Sequence, residues 1–395
     1  MSSYSDIINK KKKEWDCPDM MNRPNCNKKI PFSSPQMNYA TYGGIPRNAI
    51  TEFHGAEGGG KSSSSIDVCS NAVRIFKEEF DQEVQRMREL VSSGKKEYAG
   101  PLEDLIDRGP KKVFYLDLEH SFDIKWASKM NISSEDIEVM QPPDIPAEQI
   151  LQTLQELIET GEIGLVVLDS IPSLVTQAEL DKKYGERTVS SLAGLMTIFM
   201  RKIVSVLTRY ECTLILINQI RDNMDNPYVI NTPGGKAIKF YSSLRILFRL
   251  GTPVDMFGNE LPSSAENPAG YIVNAKIVKQ KSAPFDRKLG SYYLMADSGI
   301  RPDFDYAKLA MNKYGIIKKA GAWMTLCDPN TGEVLMNDNN MPLKVNGLAK
   351  VYDYLHNHLD YYNAIKTYIE NDINGVDVEE SELVDSDEDV VDADE

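Results

Sequence analysis

Apolar residues fall into two rhythms along the chain. Short continuous runs, "ITEF" from Ile50, "VFYLD" from Val113, "GLVVLD" from Gly164 and "CTLILIN" from Cys212, read as strands buried on both faces. Between them apolar residues recur near a spacing of 3.6. Ile66, Cys69, Val73 and Phe76 begin one such series, which continues through Phe80, Val84, Met87 and Val91. Ile150, Leu151, Leu154, Leu157 and Ile158 mark a helix from Pro146 to Thr160, with proline at its start, and Leu192–Leu207 reads as another. Strands alternating with helices predict an α/β fold: a mostly parallel twisted sheet with helices on both faces. "SLRILFRL" and "YIVNAKIVKQK" come with no helix between them and predict an antiparallel extension, while "SSGKKEYAGPLEDLIDRGPKK" reads as a loop-like excursion. The expected organisation is an N-terminal arm over 1–32, a core over 33–298 with an excursion at about 80–110, a small α+β domain over 299–370 and a tail over 371–395.

Charge sharpens the picture of the tail. The 395 residues carry a formal charge of −15, yet Val376–Glu395 holds eleven Asp or Glu and no Lys or Arg, which leaves only −4 for the rest. Such a block is expected to be disordered, and reads either as a solubility tail or as a polyanion that competes with DNA for basic surfaces. No apolar run approaches the ~18 residues a membrane helix needs, and no apolar segment follows the Lys10–Lys13 cluster as a secretory signal requires. A cytoplasmic location is expected. Five scattered cysteines without CxxC spacing predict reduced thiols and no zinc site.

"GAEGGGKS" fits the G-x-x-x-x-G-K-[ST] phosphate loop, placed between a predicted strand and a predicted helix. Gly55, Ala56, Glu57, Gly58, Gly59 and Gly60 would bring backbone N–H groups onto phosphate oxygens. Lys61 would reach the terminal phosphates and Ser62 would ligate Mg²⁺ at the helix N-terminus, with Ser63 beside it. A second carboxylate must hold the metal, through water, and "LVVLDS" supplies Asp169 at a strand end. Glu119, at the end of "YLDLE", is the candidate for polarising the attacking water; on its own it would read equally as a surface acid. A nucleoside triphosphate and Mg²⁺ are therefore the expected ligands.

An ordered series of segments resembles bacterial RecA recombinases. "LEHSFDIKWASKMNI", "VVLDSIPSLVTQAEL", "LILINQIR", "PGGKAIKFYSSLR", "IVKQKSAPF" and "KKAGAW" are similar to RecA segments in the same order, from about Ser33 to about Trp323. The interrupted form with an acidic tail is similar to bacteriophage recombinases of the UvsX type. The resemblance implies a RecA-type ATPase core, Glu119 as water activator, and Asp123 and Trp126 holding adenine, with tryptophan where the family usually has tyrosine. It makes Gln219 the γ-phosphate sensor and sends Lys279 and Lys281 across a protomer boundary to a neighbour's γ-phosphate. DNA contacts would fall to one loop at Asp181–Ser191, with Lys182, Lys183 and Arg187, and to a second at Ile220–Pro233, with Arg221, Met224, Tyr228 and Ile230. Arg201, Gly234 and Gly235 complete the set. The implied function is a DNA-dependent ATPase that forms filaments on single-stranded DNA and exchanges strands with a duplex. Single-strand-binding and loader proteins would be its partners, and host cytoplasm its location if phage-encoded. A ring helicase motor and a non-catalytic mediator on the same core are the rival readings.

Overall fold

The structure is a computed structural model and describes residues 4–14, 28–183, 191–220 and 232–374. The described residues form two compact units, one within 1–256 and 260–301, the other within 257–259 and 302–374.

The first unit opens with helix α1 (Tyr4–Glu14), which has no buried residue. A two-stranded pair, β1 (Lys29–Ile30) with β2 (Ile45–Pro46), flanks α2 (Pro35–Thr41). Ile30 and Phe32, assigned to the arm on sequence, are both buried in the main core. The chain then runs β3 (Ile50–Gly55), α3 (Lys61–Ser92), α4 (Ala99–Arg108), β4 (Lys112–Asp117), α5 (Ile124–Ser128), β5 (Ile137–Met140), α6 (Ala147–Glu159), β6 (Ile163–Asp169), α7 (Gln177–Leu180), α8 (Ser191–Tyr210), β7 (Thr213–Gln219), α9 (Lys236–Tyr241), β8 (Leu244–Val254), β9 (Gly270–Gln280), β10 (Leu289–Met295) and β11 (Gly299–Ile300). One nine-stranded sheet results, ordered β11-β10-β9-β8-β3-β7-β6-β4-β5.

The alternation within each buried run explains why the sheet is covered twice. Val113 and Tyr115 of β4, with Leu165 and Val167 of β6, belong to the apolar cluster that includes Ile66, Cys69 and Phe76 of α3. Phe114, Leu116, Val166 and Leu168 point the other way, into a cluster with Leu151, Leu154 and Ile158 of α6 and Met200, Ile203 and Leu207 of α8. Successive strand residues face opposite sides, so a run apolar at every position must be covered on both.

The antiparallel extension expected of "SLRILFRL" and "YIVNAKIVKQK" is present, β8 pairing antiparallel with β9, while on its other side β8 pairs parallel with β3, because the short helix α9 returns the chain to the same end of the sheet. One sequence expectation is corrected. α3 runs to Ser92, as the apolar spacing through Val91 predicts, but the segment after it is not simply a loop: "AGPLEDLIDR" forms α4, whose Leu102 and Leu105 are half-buried. Burial along α3 ends at Val84, so the distal hairpin lies outside the core.

The second unit builds α10 (Pro302–Asn312), an antiparallel sheet of β12 (Ile317–Ala320), β13 (Trp323–Leu326) and β14 (Lys344–Asn346), then α11 (Leu348–Asn357) and α12 (Leu359–Asn374). Phe304 stacks on Tyr352, and Tyr306 donates a 2.6 Å hydrogen bond to Glu370. The acidic tail lies outside the described residues. No described helix is long and apolar enough to cross a membrane.

Phe53, fully buried in β3 between Phe32 and Phe248, anchors the strand that carries the phosphate loop. Phe53→Ala should lower the unfolding free energy by about 3–5 kcal/mol, read from denaturant unfolding.

Candidate functional site

Parallel strands deliver their carboxyl ends to one edge of the sheet, and the candidate residues arrive there together. Gly55, last in β3, is opposite Gln219, last in β7; Asp117, last in β4, is opposite Asp169, last in β6. The phosphate loop leaves that edge from Gly55 and enters α3 at Lys61.

The loop's glycines have separate physical reasons. Gly58 and Gly60 take φ of 67° and 90°, a region a side chain rarely adopts. A Cβ on Gly55 would lie 2.2 Å from the Phe248 carbonyl oxygen, and one on Gly59 3.0 Å from that of Ala56. Tyr292, from β10, fixes the loop's exit through hydrogen bonds to the Gly60 carbonyl at 3.1 Å and the Ser64 hydroxyl at 2.7 Å. Gly60 is the N-cap of α3 and supplies no side chain, so the first-turn N–H groups face the loop as an anion-binding helix start.

Lys61 is buried and donates to the carbonyls of Gly55 at 3.1 Å and Ala56 at 2.6 Å. Burial pushes its pKa down, against the opposing pull of Asp169, Glu119 and Glu57. The Ser62 hydroxyl donates to Asp169 Oδ2 at 2.8 Å, and the buried Tyr115 hydroxyl donates to the same oxygen at 2.6 Å. Burial raises the Asp169 pKa while these two donors lower it. A hydroxyl and a carboxylate meeting at a glycine-built helix start are the oxygen donors a hard divalent cation takes, so Ser62 and Asp169 fit Mg²⁺.

Glu119 is exposed at the same edge. Its Oε1 accepts from the Ser170 hydroxyl and, at 3.2 Å, from Gln219 Nε2. Fully buried Asp117 shapes the turn that presents it, accepting from the N–H groups of Glu119 and Phe122 and from Gln141 Nε2. Trp126 Nε1 donates to Ser63 Oγ at 3.1 Å, placing the indole beside the start of α3. Asp123 caps α5, accepting from the N–H groups of Lys125 and Trp126.

The remaining candidates divide. Lys279 and Lys281 bond to the last carbonyls of α9, at Lys239 and Phe240. Lys279 pairs in register with Arg245, and Arg245 with Glu52, three residues before Gly55. At ~3.3 Å per strand residue this sets Lys279 roughly 10 Å back from the chain's own phosphate loop. Gly234 and Gly235 have φ of 84° and 81°, and a Cβ on either would press on Ile238 or Ala193, so packing of α9 on α8 already requires glycine. Lys182 and Lys183 follow α7, and Arg201 is exposed on α8. Arg187, Arg221, Met224, Tyr228 and Ile230 lie outside the described residues.

Sequence reasoning missed Tyr115, Tyr292, Ser170 and Asp117. Tyr115 and Asp117 sat in the quoted strand "YLDLE", but only the register shows which partners they meet.

A family model described as the RecA N-terminal domain matches residues 90–301, which include Glu119, Asp169, Gln219, Lys279 and Lys281. Over 294 residues the chain is 30% identical to Protein RecA of Thermus aquaticus, covering 74% of this chain and 73% of that one. Protein RecA of Chlorobaculum parvum is 30% identical over 78% of this chain and 76% of its own, and that of Aquifex aeolicus 29% over 85% and 81%. With the family model over more than half of the chain and 30% identity across more than two thirds of it, the chain belongs to the RecA family.

Proposed function

We propose that the chain is a DNA-dependent ATPase that assembles on single-stranded DNA as a helical filament and exchanges strands with a homologous duplex. One observation carries the reading: Ser62, Asp169, Glu119 and Gln219 converge on the edge of the sheet from which the phosphate loop springs. Mg²⁺, when bound, neutralises charge on the terminal phosphates. The chain's own groups do the rest. Backbone N–H groups at the start of α3 cradle phosphate oxygens, and Lys61 exchanges its carbonyl partners for the terminal phosphates. Glu119 orients water for attack on the γ-phosphate and takes its proton. Gln219, bonded to Glu119, turns toward the γ-phosphate and passes its presence to the segment beginning at Ile220. Trp126 offers a π-face to adenine and Asp123 holds the turn that presents it.

Lys279 and Lys281 serve a neighbouring protomer. Their setback from the chain's own loop supports this, since an ammonium group bonded to the end of α9 cannot at the same time reach that loop. Repetition of one heterologous contact yields a filament, with ATP held between copies. DNA contacts fall to Lys182, Lys183, Arg187 and Arg201, to Arg221, Met224 and Tyr228, and to the Gly234–Gly235 backbone. Single-strand-binding and loader proteins are the proposed partners, and the acidic tail restrains duplex binding.

Three experiments test the reading. In a DNA-stimulated ATPase assay Lys61→Ala falls to background, while Glu119→Gln loses roughly 10²–10⁴-fold in turnover but keeps ATP-dependent DNA binding. Parental turnover in Glu119→Gln would remove the water-activating role. Burial, together with the Lys281 and Arg245 charges, lowers the Lys279 pKa to about 8. Above that pH the free lysine is neutral, so ATP-dependent assembly measured by light scattering should weaken by up to about tenfold per pH unit. Lys279→Arg, which stays charged, should flatten the profile. Deleting residues 376–395 should tighten duplex binding, most visibly at low salt; equal affinity at low salt would leave a solubility role alone.

A further inference from the structure

Beneath the phosphate loop lies a polar cluster that none of these roles uses. Glu52, in the middle of β3, is fully buried, and its Oε2 accepts from Nε of the buried Arg245 in β8. Its Oε1 accepts from Asn218 Nδ2 at 2.9 Å. Asn218, the residue before Gln219, is also fully buried, and the same amide nitrogen donates at 3.1 Å to the carbonyl of Pro233. Both amide protons are thereby used, while Asn218 Oδ1 has no hydrogen-bond partner among the described residues.

This arrangement is costly as a filler. A buried amide with an unsatisfied oxygen, set against a buried ion pair, is the kind of site where apolar residues of similar volume serve stability as well or better. Its topology suggests another use. The segment from Ile220 to Pro233 leaves the sheet directly after Gln219, and its first N–H, that of Ile220, donates to the Gly55 carbonyl of the phosphate loop at 3.3 Å. Its last residue is held by Asn218. Both ends are thus tied to the nucleotide edge, one to the loop itself and one to a side chain adjacent to Gln219.

We propose that Asn218 is a positioning residue: it fixes Pro233 relative to Gln219, with the Glu52–Arg245 pair as an immobile anchor, so that a change at Gln219 reaches both ends of the segment. The inference rests on the reading of Gln219 as the γ-phosphate sensor and of 220–233 as a DNA-contacting segment. Only an amide of this length supplies two donors here. Aspartate has none at neutral pH, and leucine keeps the branched shape without polarity.

The test compares full-length Asn218→Leu with the parent in four measurements: melting temperature, affinity for a fluorescent ATP analogue, ATP turnover without DNA, and turnover with saturating single-stranded DNA. The expected result is nucleotide affinity and DNA-free turnover within about twofold of the parent, with stimulation by DNA reduced at least tenfold. Stimulation within twofold of the parent overturns the proposal. So does a parallel fall in melting temperature, nucleotide affinity and both turnovers, which marks a structural residue only. Should Asn218→Leu fail to fold, Asn218→Ser, smaller and too short to span both acceptors, carries the same comparison. A parent chain without DNA-stimulated turnover would instead defeat the function proposed above, a failure distinguishable from loss of coupling in the variant.

Discussion

The contact of the Ser62 hydroxyl with Asp169 Oδ2, reinforced by the Tyr115 hydroxyl on the same oxygen, is the junction on which the site depends. It joins the start of α3 to the ends of β6 and β4, and so fixes the phosphate loop against the strands that bring Glu119 and Asp117. The geometry follows from the sheet's direction. Because β3, β7, β6 and β4 all run parallel, their last residues, Gly55 and the polar Gln219, Asp169 and Asp117, gather at one edge while their apolar interiors are covered on both faces. Burial raises the Asp169 pKa, and two neutral donors counter it without adding charge.

The layered α/β core was legible because its strands are apolar at every position, a pattern that only double coverage satisfies. The phosphate loop was legible for a different reason: each glycine answers a backbone demand that few other residues meet, as Gly58, Gly59 and Gly60 show through positive φ or crowding. The direction of β8 was not legible, since it depends on α9, six residues long and too short to show periodicity. α4 was hidden by Gly100 and Pro101 in its first turn, residues that locally signal a loop. Roles created by register, such as those of Tyr115 on Asp169 and Asn218 between Glu52 and Pro233, leave no spacing signature. Their partners lie from 15 to 166 residues away.

Glu52 and Arg245 add a constraint on how such a site can change. Removing one partner of a buried pair costs about 3–5 kcal/mol, so the pair is a rigid reference and not a moving part. Motion is left to the groups around it: Lys61, which is bonded to carbonyls it can exchange, Gln219 at the strand end, and the lysines against α9. Lys279 sits beside Arg245 in register, and Gln219 ends the strand on the far side of Glu52, so the two residues flank one fixed pair.

The central claim is that ATP is held between copies, with Lys61 and Glu119 from one chain and Lys279 and Lys281 from the next. Mixing two variants tests it most directly: Lys61→Ala, which keeps the outward lysines, and a Lys279→Ala/Lys281→Ala chain, which keeps the loop. Each alone should lack DNA-stimulated turnover. An equal mixture should regain about a quarter of the parental rate, the fraction of random head-to-tail contacts that pair an intact loop with intact lysines. A mixture as inactive as its components, or a lysine variant active on its own, would contradict the account.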